Sequence, residues 1–336
     1  MTADRSGDTD DETIGGTAEN PLRNPKLRPN ARRVAVVIPC YSEEITIAKV
    51  VTDFRNALPE AEIYVFDNNS TDRSIEEATR AKATVVRSLQ QGKGNVIRHI
   101  FQVVDADIYI LVDGDDTYQA AAAPGMIEEL ENEQLDMLVG IRLGEYKDGA
   151  FRRFHLFGNT VISGLISVFF RRKLKDVLSG YRILSRDFVE IVPIRARGFE
   201  VETEMTLQAL SKRLRVGETA VLYGSRPPGS ISKLDTFSDG TLILRSIIML
   251  LRDYRPLVFF SGLSLLFGLT ALVAGIAPVQ DYIETRYVLH VPRAILASGL
   301  AILSLLSFAA GLILDTISRF HQETLELLRP ILRKNR

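Results

Sequence analysis

The sequence predicts an α/β domain built on a mainly parallel sheet, followed by two helices that cross a membrane. Apolar strand patterns alternate with helical periodicities from residue 33 to residue 142, an order typical of parallel βαβ units. Polar and acidic residues directly follow the predicted strands, where such sheets bind their ligands. Two uninterrupted apolar runs of about 21 residues lie near the C-terminus, and each is long enough to span a hydrocarbon core of about 30 Å.

Length and composition restrict the possible functions. The chain has 336 residues and a formal net charge of −1, so no overall electrostatic field favours nucleic acid as a partner. The single cysteine, Cys40, excludes an internal disulfide and fits a reducing compartment. We interpret it as a buried structural residue rather than a nucleophile. Residues 1–30 are polar and are predicted to form a disordered tail, in which we expect no secretory signal.

Strands and helices are assigned from the spacing of apolar residues. Continuous apolar stretches predict strands at 33–39, 61–67, 83–87, 108–112 and 136–142. Helical spacing predicts helices at 43–58, 71–81 and 92–104. Ser42 is the expected N-cap of the first of these helices. A further helix is predicted at 154–170, as either a core helix or a helix lying on a membrane beside a lipid acceptor.

The stretch IYILVDGDDT at 108–117 has the most distinctive chemistry. Asp113, Asp115 and Asp116 follow its predicted strand. Alternate side chains of a strand share a face, so Asp113 and Asp115 can be directed at one point. Clustered carboxylates repel one another unless a cation compensates, and hard oxygen ligands at an open edge suit Mg²⁺ or Mn²⁺ shared with a diphosphate. Taken alone, the stretch is also compatible with an ordinary polar turn.

Two other predicted strands end in polar segments that suit a nucleotide. The first strand ends in PCYSEE at 39–44, and the second ends in DNNSTD at 67–72. Carboxylates there can accept hydrogen bonds from a ribose or a base. The segment QGKGN at 91–95 places Lys93 at the start of a predicted helix, where it either contacts the donor or belongs to a plain glycine-rich turn. The sequence contains neither the full dinucleotide-binding fingerprint nor a P-loop.

VVIPCYSEE, FDNNSTD and LVDGDDT, in that order, resemble the motifs of family 2 glycosyltransferases with a GT-A fold. Within that family the chain resembles the polyprenyl-phosphate glycosyltransferases, the dolichol-phosphate mannose synthase group. The resemblance covers about residues 33–235, and we place the GT-A domain at 31–235. It implies transfer of a hexose from a nucleotide-diphosphate sugar to a polyprenyl phosphate (undecaprenyl, decaprenyl or dolichyl), giving a lipid-linked sugar for glycan or cell-envelope assembly. The expected donor is a UDP-hexose or UDP-N-acetylhexosamine, with GDP-mannose next.

The resemblance implies a donor site with a divalent metal, Mg²⁺ or Mn²⁺, on Asp113 and Asp115. It assigns nucleotide-sugar binding to residues at the strand ends and in two loops: Pro39, Tyr41, Glu43, Asp67, Asn69, Lys93, Asp113, Asp115, Arg226 and Lys233. The last two residues belong to a segment that closes over the donor diphosphate in the family. Two departures leave the base and sugar undetermined: Asn68-Asn69 replaces the usual Asp-Gly, and Asp116 is a third acid.

The resemblance also implies an acceptor site in the second half of the chain. Arg142 is expected to contact the acceptor phosphate, together with Arg152 or Arg153, between which the spacing does not choose. Glu200 is placed near the acceptor, although acids in a first helical turn, such as Glu200 and Glu202, are commonly partners of the helix dipole. The predicted catalytic set comprises the following residues: Asp115, Arg142, Arg152, Arg153 and Glu200. SGYR at 179–182 matches a further segment of the family.

The C-terminal third is predicted to anchor the chain in a membrane. The spans are 257–277 and 294–314, with a juxtamembrane interfacial helix at 236–256 and an amphipathic cytoplasmic helix at 316–336. Arginines and lysines flank the outer ends of the pair, whereas the connecting segment carries only Arg286 and Arg293. The positive-inside rule therefore places the catalytic domain and the C-terminus in the cytoplasm. We expect an integral protein of the cytoplasmic or endoplasmic-reticulum membrane; the pattern does not decide whether it forms a homo-oligomer.

Two other functions share parts of this pattern. A processive polysaccharide synthase, or another glycosyltransferase with a saccharide acceptor, has the same fold. The synthases carry a Gln-x-x-Arg-Trp motif, however, and this chain contains no tryptophan. A non-catalytic membrane scaffold would need an acidic edge that binds no metal, and the presence of Asp67, Asp113 and Asp115 argues against it.

Overall fold

The protein is described here from a computed structural model, which covers residues 32–143, 173–229 and 251–334, with residues 163, 164, 167, 248 and 249. Its strands are β1 (Val34–Cys40), β2 (Glu62–Asp67), β3 (Thr84–Arg87), β4 (Ile108–Leu111), β5 (Met137–Leu143), β6 (Arg182–Ser185) and β7 (Val216–Leu222). Its helices are α1 (Ile47–Ala57), α2 (Ser74–Arg80), α3 (Lys93–Val103), α4 (Ala123–Asn132), α5 (Arg186–Ile191), α6 (Val201–Ser211), α7 (Pro256–Thr285) and α8 (Val291–Lys334). A 3₁₀ turn at Ala120–Ala122 precedes α4.

The strands form one seven-stranded sheet in the order β3-β2-β1-β4-β6-β5-β7. Strands β1 to β4 are parallel to one another, and β5 pairs in parallel with β7. Only β6 is antiparallel, to both β4 and β5. The predicted α/β architecture with a mainly parallel sheet is confirmed. Strands β6 and β7 and helices α4 and α5 were not predicted from the sequence.

Apolar layers cover both faces of the sheet. Alternate residues of β1 enter opposite layers, with Val37 on one side and Val36 on the other. The first layer includes residues of α3, α5 and α6, and the second includes residues of α1 and α4. Because both faces are buried, the parallel strands need apolar side chains at every position. This requirement explains the continuous apolar stretches of the sequence.

The start of α1 differs from the prediction that Ser42 is its N-cap. The helix begins at Ile47, and Ser42 lies four residues before the Thr46 N-cap with a left-handed φ of 52°. Its main-chain nitrogen donates to Ser70 Oγ at 2.8 Å. Thr46 does not cap the helix with its side chain either, because Thr46 Oγ1 donates to the carbonyl oxygen of Gly114 at 2.7 Å. The polar residues before α1 therefore join neighbouring strand ends to one another.

The C-terminal part consists of two long helices. Within the described part of the chain, α7 and α8 are the helices long and apolar enough to cross a membrane, and they contain both predicted spans. Ser304 Oγ donates to the carbonyl oxygen of Ser264 at 2.8 Å, which links the two helices. α8 continues without interruption to Lys334. Most of the helix predicted at 154–170, and most of the interfacial segment at 236–256, lie outside the described residues.

Candidate active site

The polar segments after β1 and β2 interlock at one edge of the sheet. Strand pairing brings Cys40 opposite Asp67. Beyond it, the main-chain nitrogen of Glu43 donates to Ser74 Oγ at 2.7 Å, and that of Glu44 donates to Asp72 at 3.2 Å. The two segments that the sequence analysis assigned to a nucleotide thus form one surface.

The structure places the sequence-predicted nucleotide residues on or beside this surface. Pro39 is the second-last residue of β1, the Tyr41 side chain is exposed, and Asp67 is buried with its Oδ1 accepting a hydrogen bond from the main chain of Ser70. Asn69 donates to the carbonyl oxygen of Leu89 at 3.1 Å. Lys233 lies outside the described residues.

Cys40 is buried within this edge. The pKa of its thiol is raised to about 12, mainly by burial and also by the nearby carboxylates. The hydrogen bond with Ser74 lowers the pKa, but by less than the carboxylates raise it. A thiol that stays protonated at neutral pH is a poor nucleophile. The predicted burial of Cys40 is confirmed.

The acidic loop after β4 separates its three aspartates. The side chain of Asp115 is 6% exposed and that of Asp113 is 28% exposed. Asp116 has a left-handed φ of 59°, and its carboxylate binds Lys49 on α1 at 2.7 Å. The third acid of the motif therefore forms a separate ion pair with α1.

Two cations lie against the two remaining aspartates. Lys93 contacts the Asp113 carboxylate and also Glu202 Oε1, the latter at 2.5 Å. Arg226 lies 2.7 Å from Asp115 Oδ2 and 3.7 Å from Glu43 Oε1. The structure thus assembles Glu43, Lys93, Asp113, Asp115 and Arg226, which are far apart in the sequence, into one charged cluster.

The pKa values in this cluster reflect burial and close charges. Burial raises the pKa of Asp115, the charge of Asp113 raises it further, and Arg226 opposes both. Burial alone would lower the pKa of Lys93, but the Asp113 and Glu202 carboxylates outweigh it, so the pKa is raised. Burial also raises the pKa of Glu202, against the effect of Lys93. The aspartate pair is therefore a site where additional positive charge would be stabilising.

The donor set fits a divalent cation that is shared with a bound diphosphate. Among the described residues, no group of three or more His, Cys, Asp or Glu side chains could hold a metal ion. Asp113 and Asp115 supply hard carboxylate oxygens, as Mg²⁺ and Mn²⁺ prefer. The remaining ligands would have to come from phosphate oxygens and water. The chemistry of these residues matches a metal that binds together with a nucleotide.

A close contact between the start of α3 and the segment before α6 positions Lys93. The main-chain nitrogen of Gly94 donates to the carbonyl oxygen of Arg197 at 3.1 Å. A side chain at Gly94 would lie 2.6 Å from the carbonyl carbon of Ala196, too close for any residue but glycine. The glycines around Lys93 therefore serve backbone packing, which brings the start of α3 against the segment before α6.

Two glutamates in this neighbouring segment have different surroundings. Glu200 Oε1 accepts hydrogen bonds from the main-chain nitrogens of Arg197 and Gly198, at 3.0 and 3.1 Å, so it closes its own turn. Glu202, in the first turn of α6, is buried and binds Lys93. The sequence pattern around Glu202 indicates no more than a partner of the helix dipole. The buried contact could not be anticipated, because it joins residues 109 positions apart.

The segment SGYR is a scaffold for Asp113. Gly180 lies against the Asp113 carboxylate, where a side chain would collide with it. Ser179 Oγ donates to the carbonyl oxygen of Gly140 at 2.6 Å. Arg182 is completely buried and donates to Val177 O, Ser179 O and Thr206 Oγ1 at 2.8, 3.0 and 2.9 Å. Burial lowers the pKa of this guanidinium.

Arg142, near the end of β5, is held by an aspartate that the sequence analysis did not single out. Its Nε and one terminal nitrogen donate to the two carboxylate oxygens of Asp176, at 2.7 and 2.8 Å. Its guanidinium carbon also lies 5.6 Å from the centre of the Tyr223 ring. Asp176 stands three residues before the SGYR segment. Arg152 and Arg153 lie outside the described residues.

Comparison with known proteins assigns the chain to a family. The sequence model of glycosyl transferase family 2 matches residues 35–192. Protein RfbJ of Shigella flexneri is 53% identical over 122 residues, which cover 36% of this chain and 95% of that protein. The chain belongs to glycosyltransferase family 2. The predicted family and enzyme class are thereby confirmed.

Other relatives of this glycosyltransferase match more of its length. Glycosyltransferase AglJ of Haloferax volcanii is 28% identical over 305 residues, covering 90% of this chain and 99% of its own. A dolichol-phosphate mannosyltransferase of Pyrococcus furiosus is 27% identical over 212 residues, covering 60% of this chain and 59% of its own. The fold resembles that of glucosyl-3-phosphoglycerate synthase from Mycobacterium tuberculosis, whose structure was solved with Mn²⁺ and UDP-glucose. The two structures superpose with a TM-score of 0.55 and 19% sequence identity, over 66% of this chain and 78% of the other. The GT-A fold is confirmed.

Proposed function

We propose that this glycosyltransferase transfers a hexose from a nucleotide-diphosphate sugar to the phosphate of a polyprenyl phosphate. The observation that carries the proposal is the charge arrangement at the sheet edge. Asp113 and Asp115 suit a metal–diphosphate unit, and Lys93, Arg226 and the nearby Arg142 provide positive charge for two anionic substrates. The same chain contains two helices long and apolar enough to cross a membrane, where a lipid acceptor resides. The dolichol-phosphate mannosyltransferase relative supports this class of acceptor.

The nucleotide sugar binds at the interlocked ends of β1 and β2. In this proposal the nucleoside contacts Pro39, Tyr41, Glu43, Asp67 and Asn69. The diphosphate is bound by three cationic side chains, Lys93, Arg226 and Lys233. A divalent ion on Asp113 and Asp115 would supply Lewis-acid stabilisation of the leaving nucleoside diphosphate. Binding of Mn²⁺ and UDP-glucose in the structural relative supports a UDP-sugar donor and this metal class.

The acceptor phosphate is the nucleophile. A phosphate monoester carries a charge of roughly −1.5 to −2 near pH 7, so its oxygen attacks the anomeric carbon without a strong protein base. Arg142 offsets its charge, joined by Arg152 or Arg153, in the charge-assisted geometry that favours arginine. Asp176 fixes the plane of the Arg142 guanidinium through its two hydrogen bonds. Glu200 is assigned to the surroundings of the acceptor.

Direct attack predicts inversion at the anomeric carbon. An α-linked donor then gives a β-linked lipid sugar. The catalytic domain at 31–235 and the C-terminus lie on the cytoplasmic side of the membrane in this proposal, because basic residues flank the outer ends of the two spans. The nucleotide sugar and the lipid phosphate meet there at the membrane surface.

The proposal is tested with the full-length protein in membranes, Mg²⁺ or Mn²⁺, polyprenyl phosphate and a panel of radiolabelled UDP- and GDP-sugars. One donor is expected to give a chloroform-soluble product. Asp115→Asn should abolish that product, whereas Asp116→Asn, the same change one residue later in an ion pair with α1, should retain it. Failure of every donor to label the lipid, or full activity of Asp115→Asn, would refute the proposal. Labelling of a saccharide instead would favour the alternative acceptor.

A further inference from the structure

Asn68 uses its side-chain amide to hold the loop between β3 and α3. The residue is 3% exposed and directly follows β2. Its Nδ2 donates to the carbonyl oxygens of Ser88 and Gln90 at 2.9 and 2.8 Å, and its Oδ1 accepts from the main-chain nitrogen of Gly92 at 2.7 Å. A single side chain thus satisfies three main-chain groups of residues 88–92, which we call the latch loop.

Only an amide can make these three hydrogen bonds in this position. A carboxylate has no hydrogen to donate, so an aspartate would bring its negative charge against two carbonyl oxygens. Buried acceptors without donors are strongly unfavourable. The family pattern has an aspartate where this chain has Asn68. The departure therefore matches the latch loop of this protein.

The latch loop leads directly into the charged cluster. Gly92 has a left-handed φ of 118°, and α3 begins at the next residue, Lys93. Beyond this point the main-chain nitrogens of Gly94 and Asn95 reach the carbonyl oxygen of Arg197, at 3.1 and 3.4 Å. The main chain of Lys93 is therefore anchored on one side by Asn68 and on the other by the segment before α6.

The anchored lysine has little freedom at its far end. Its ammonium group contacts the carboxylates of Asp113 and Glu202, and it lies 5.9 Å from the centre of the Phe199 ring. A displacement of the main chain at Gly92 would move this group away from one carboxylate or both. The position of the charge beside Asp113 thus depends on the latch loop.

We propose that Asn68 is a positioning residue that fixes the latch loop and thereby places the Lys93 ammonium beside Asp113. The inference rests on the proposed donor-site role of Lys93 and Asp113. Asn68 acts through Lys93 and contacts no substrate itself. Its contribution to transfer should therefore disappear when the ammonium group is removed.

The structural half of the proposal is tested by hydrogen exchange on the full-length protein in detergent. Asn68→Asp is expected to speed exchange of the Gly92 amide by at least tenfold, because repulsion between the carboxylate and the carbonyl oxygens of Ser88 and Gln90 displaces the loop and with it the Gly92 amide. Asn132→Asp, the same change at an exposed helix end, should leave this amide unchanged. If Asn68→Asp does not fold, as judged by thermal unfolding, Asn68→Ala removes the same hydrogen bonds without adding charge. Unchanged protection of Gly92 in the folded variant would overturn the proposal.

The functional half is tested by a double-mutant cycle on kcat/KM for sugar transfer. Asn68→Asp should lower kcat/KM by about 10- to 100-fold in the wild-type background, as loss of a supporting residue commonly does. In the Lys93→Met background the same change should have almost no further effect. Equal losses in both backgrounds would show a general structural role and overturn the proposal.

The same cycle separates this inference from the proposed acceptor. If the wild-type protein labels no polyprenyl phosphate, the acceptor assignment fails. The cycle is then read from the affinity for UDP in the presence of Mn²⁺, which needs no acceptor. Coupling between Asn68 and Lys93 in that affinity supports the inference, and independent effects overturn it.

Discussion

Replacing Gly180 by alanine tests how closely the SGYR scaffold fixes Asp113. A methyl group at Gly180 would lie 2.8 Å from Cγ of Asp113 and closer still to Oδ2, where ordinary contacts begin at 3.4 Å. The backbone of Gly180 is not left-handed, so the collision is the only obstacle to alanine. The carboxylate must move by roughly 0.6 to 1 Å, and misplacement by about 1 Å costs on the order of 100-fold in rate. We expect kcat/KM to fall by about 10- to 100-fold.

The assay is sugar transfer by Gly180→Ala and wild-type protein, with Mn²⁺ titrated to compare metal dependence. Gly125→Ala is the matched control, because no atom lies within 4 Å of a side chain at that position. This control lies in α4, where alanine is about 0.5 to 1 kcal/mol more favourable than glycine, and it should retain full activity. The thermal unfolding midpoint of Gly180→Ala should stay close to that of the wild type, since the displaced carboxylate is partly exposed. Wild-type activity and metal dependence in Gly180→Ala would refute the role assigned to the scaffold.

Two further substitutions and one labelling experiment have defined outcomes. Arg182→Met should lower the free energy of unfolding by about 3 kcal/mol or more, because it leaves buried carbonyl oxygens without donors; thermal unfolding measures it, and an unchanged midpoint contradicts it. Asp176→Asn should raise KM for polyprenyl phosphate about tenfold, the equivalent of about 1.4 kcal/mol, without changing KM for the donor; equal effects on both would show that Arg142 does not serve the acceptor. The Cys40 thiol, with its pKa raised to about 12 by burial, should resist Ellman's reagent at pH 8 until the protein is denatured, and fast labelling of the native protein would contradict its burial.

The parallel half of the sheet could be predicted because local sequence carries its signal. Strands β1, β2 and β4 are buried on both faces, so each appears as a continuous apolar run followed by polar residues. Parallel pairing then brings those polar ends to one edge. Asp67, Asp113 and Asp115 could therefore be identified from the sequence as residues at or just beyond strand ends.

The antiparallel strand β6 could not be predicted in this way. It has only four residues, and its first, Arg182, is buried although arginine is rarely found in a core. The Arg182 guanidinium is stabilised there by hydrogen bonds that it donates to acceptors in other segments of the chain. Such compensation depends on contacts between distant segments, which local periodicity does not reveal.

The connections within the site were also beyond the sequence analysis. Glu202 was visible as an acid in a first helical turn, and Asn68 was visible as a departure from the family pattern. Their contacts with Lys93 and with the latch loop require the fold. The acid preceding SGYR, Asp176, carried a signal that could have been found, because a half-buried guanidinium such as that of Arg142 is stabilised by a nearby carboxylate.

The central claim is that the nucleophile is a lipid phosphate. The most direct measurement compares sugar transfer to polyprenyl phosphate with transfer to the free polyprenol of the same chain length, using the donor that gives product. The account predicts that only the polyprenyl phosphate is labelled. The cationic side chains of the site favour an anionic acceptor, and the proposed mechanism contains no strong base to deprotonate a hydroxyl group. Transfer to the polyprenol at a comparable rate would contradict it.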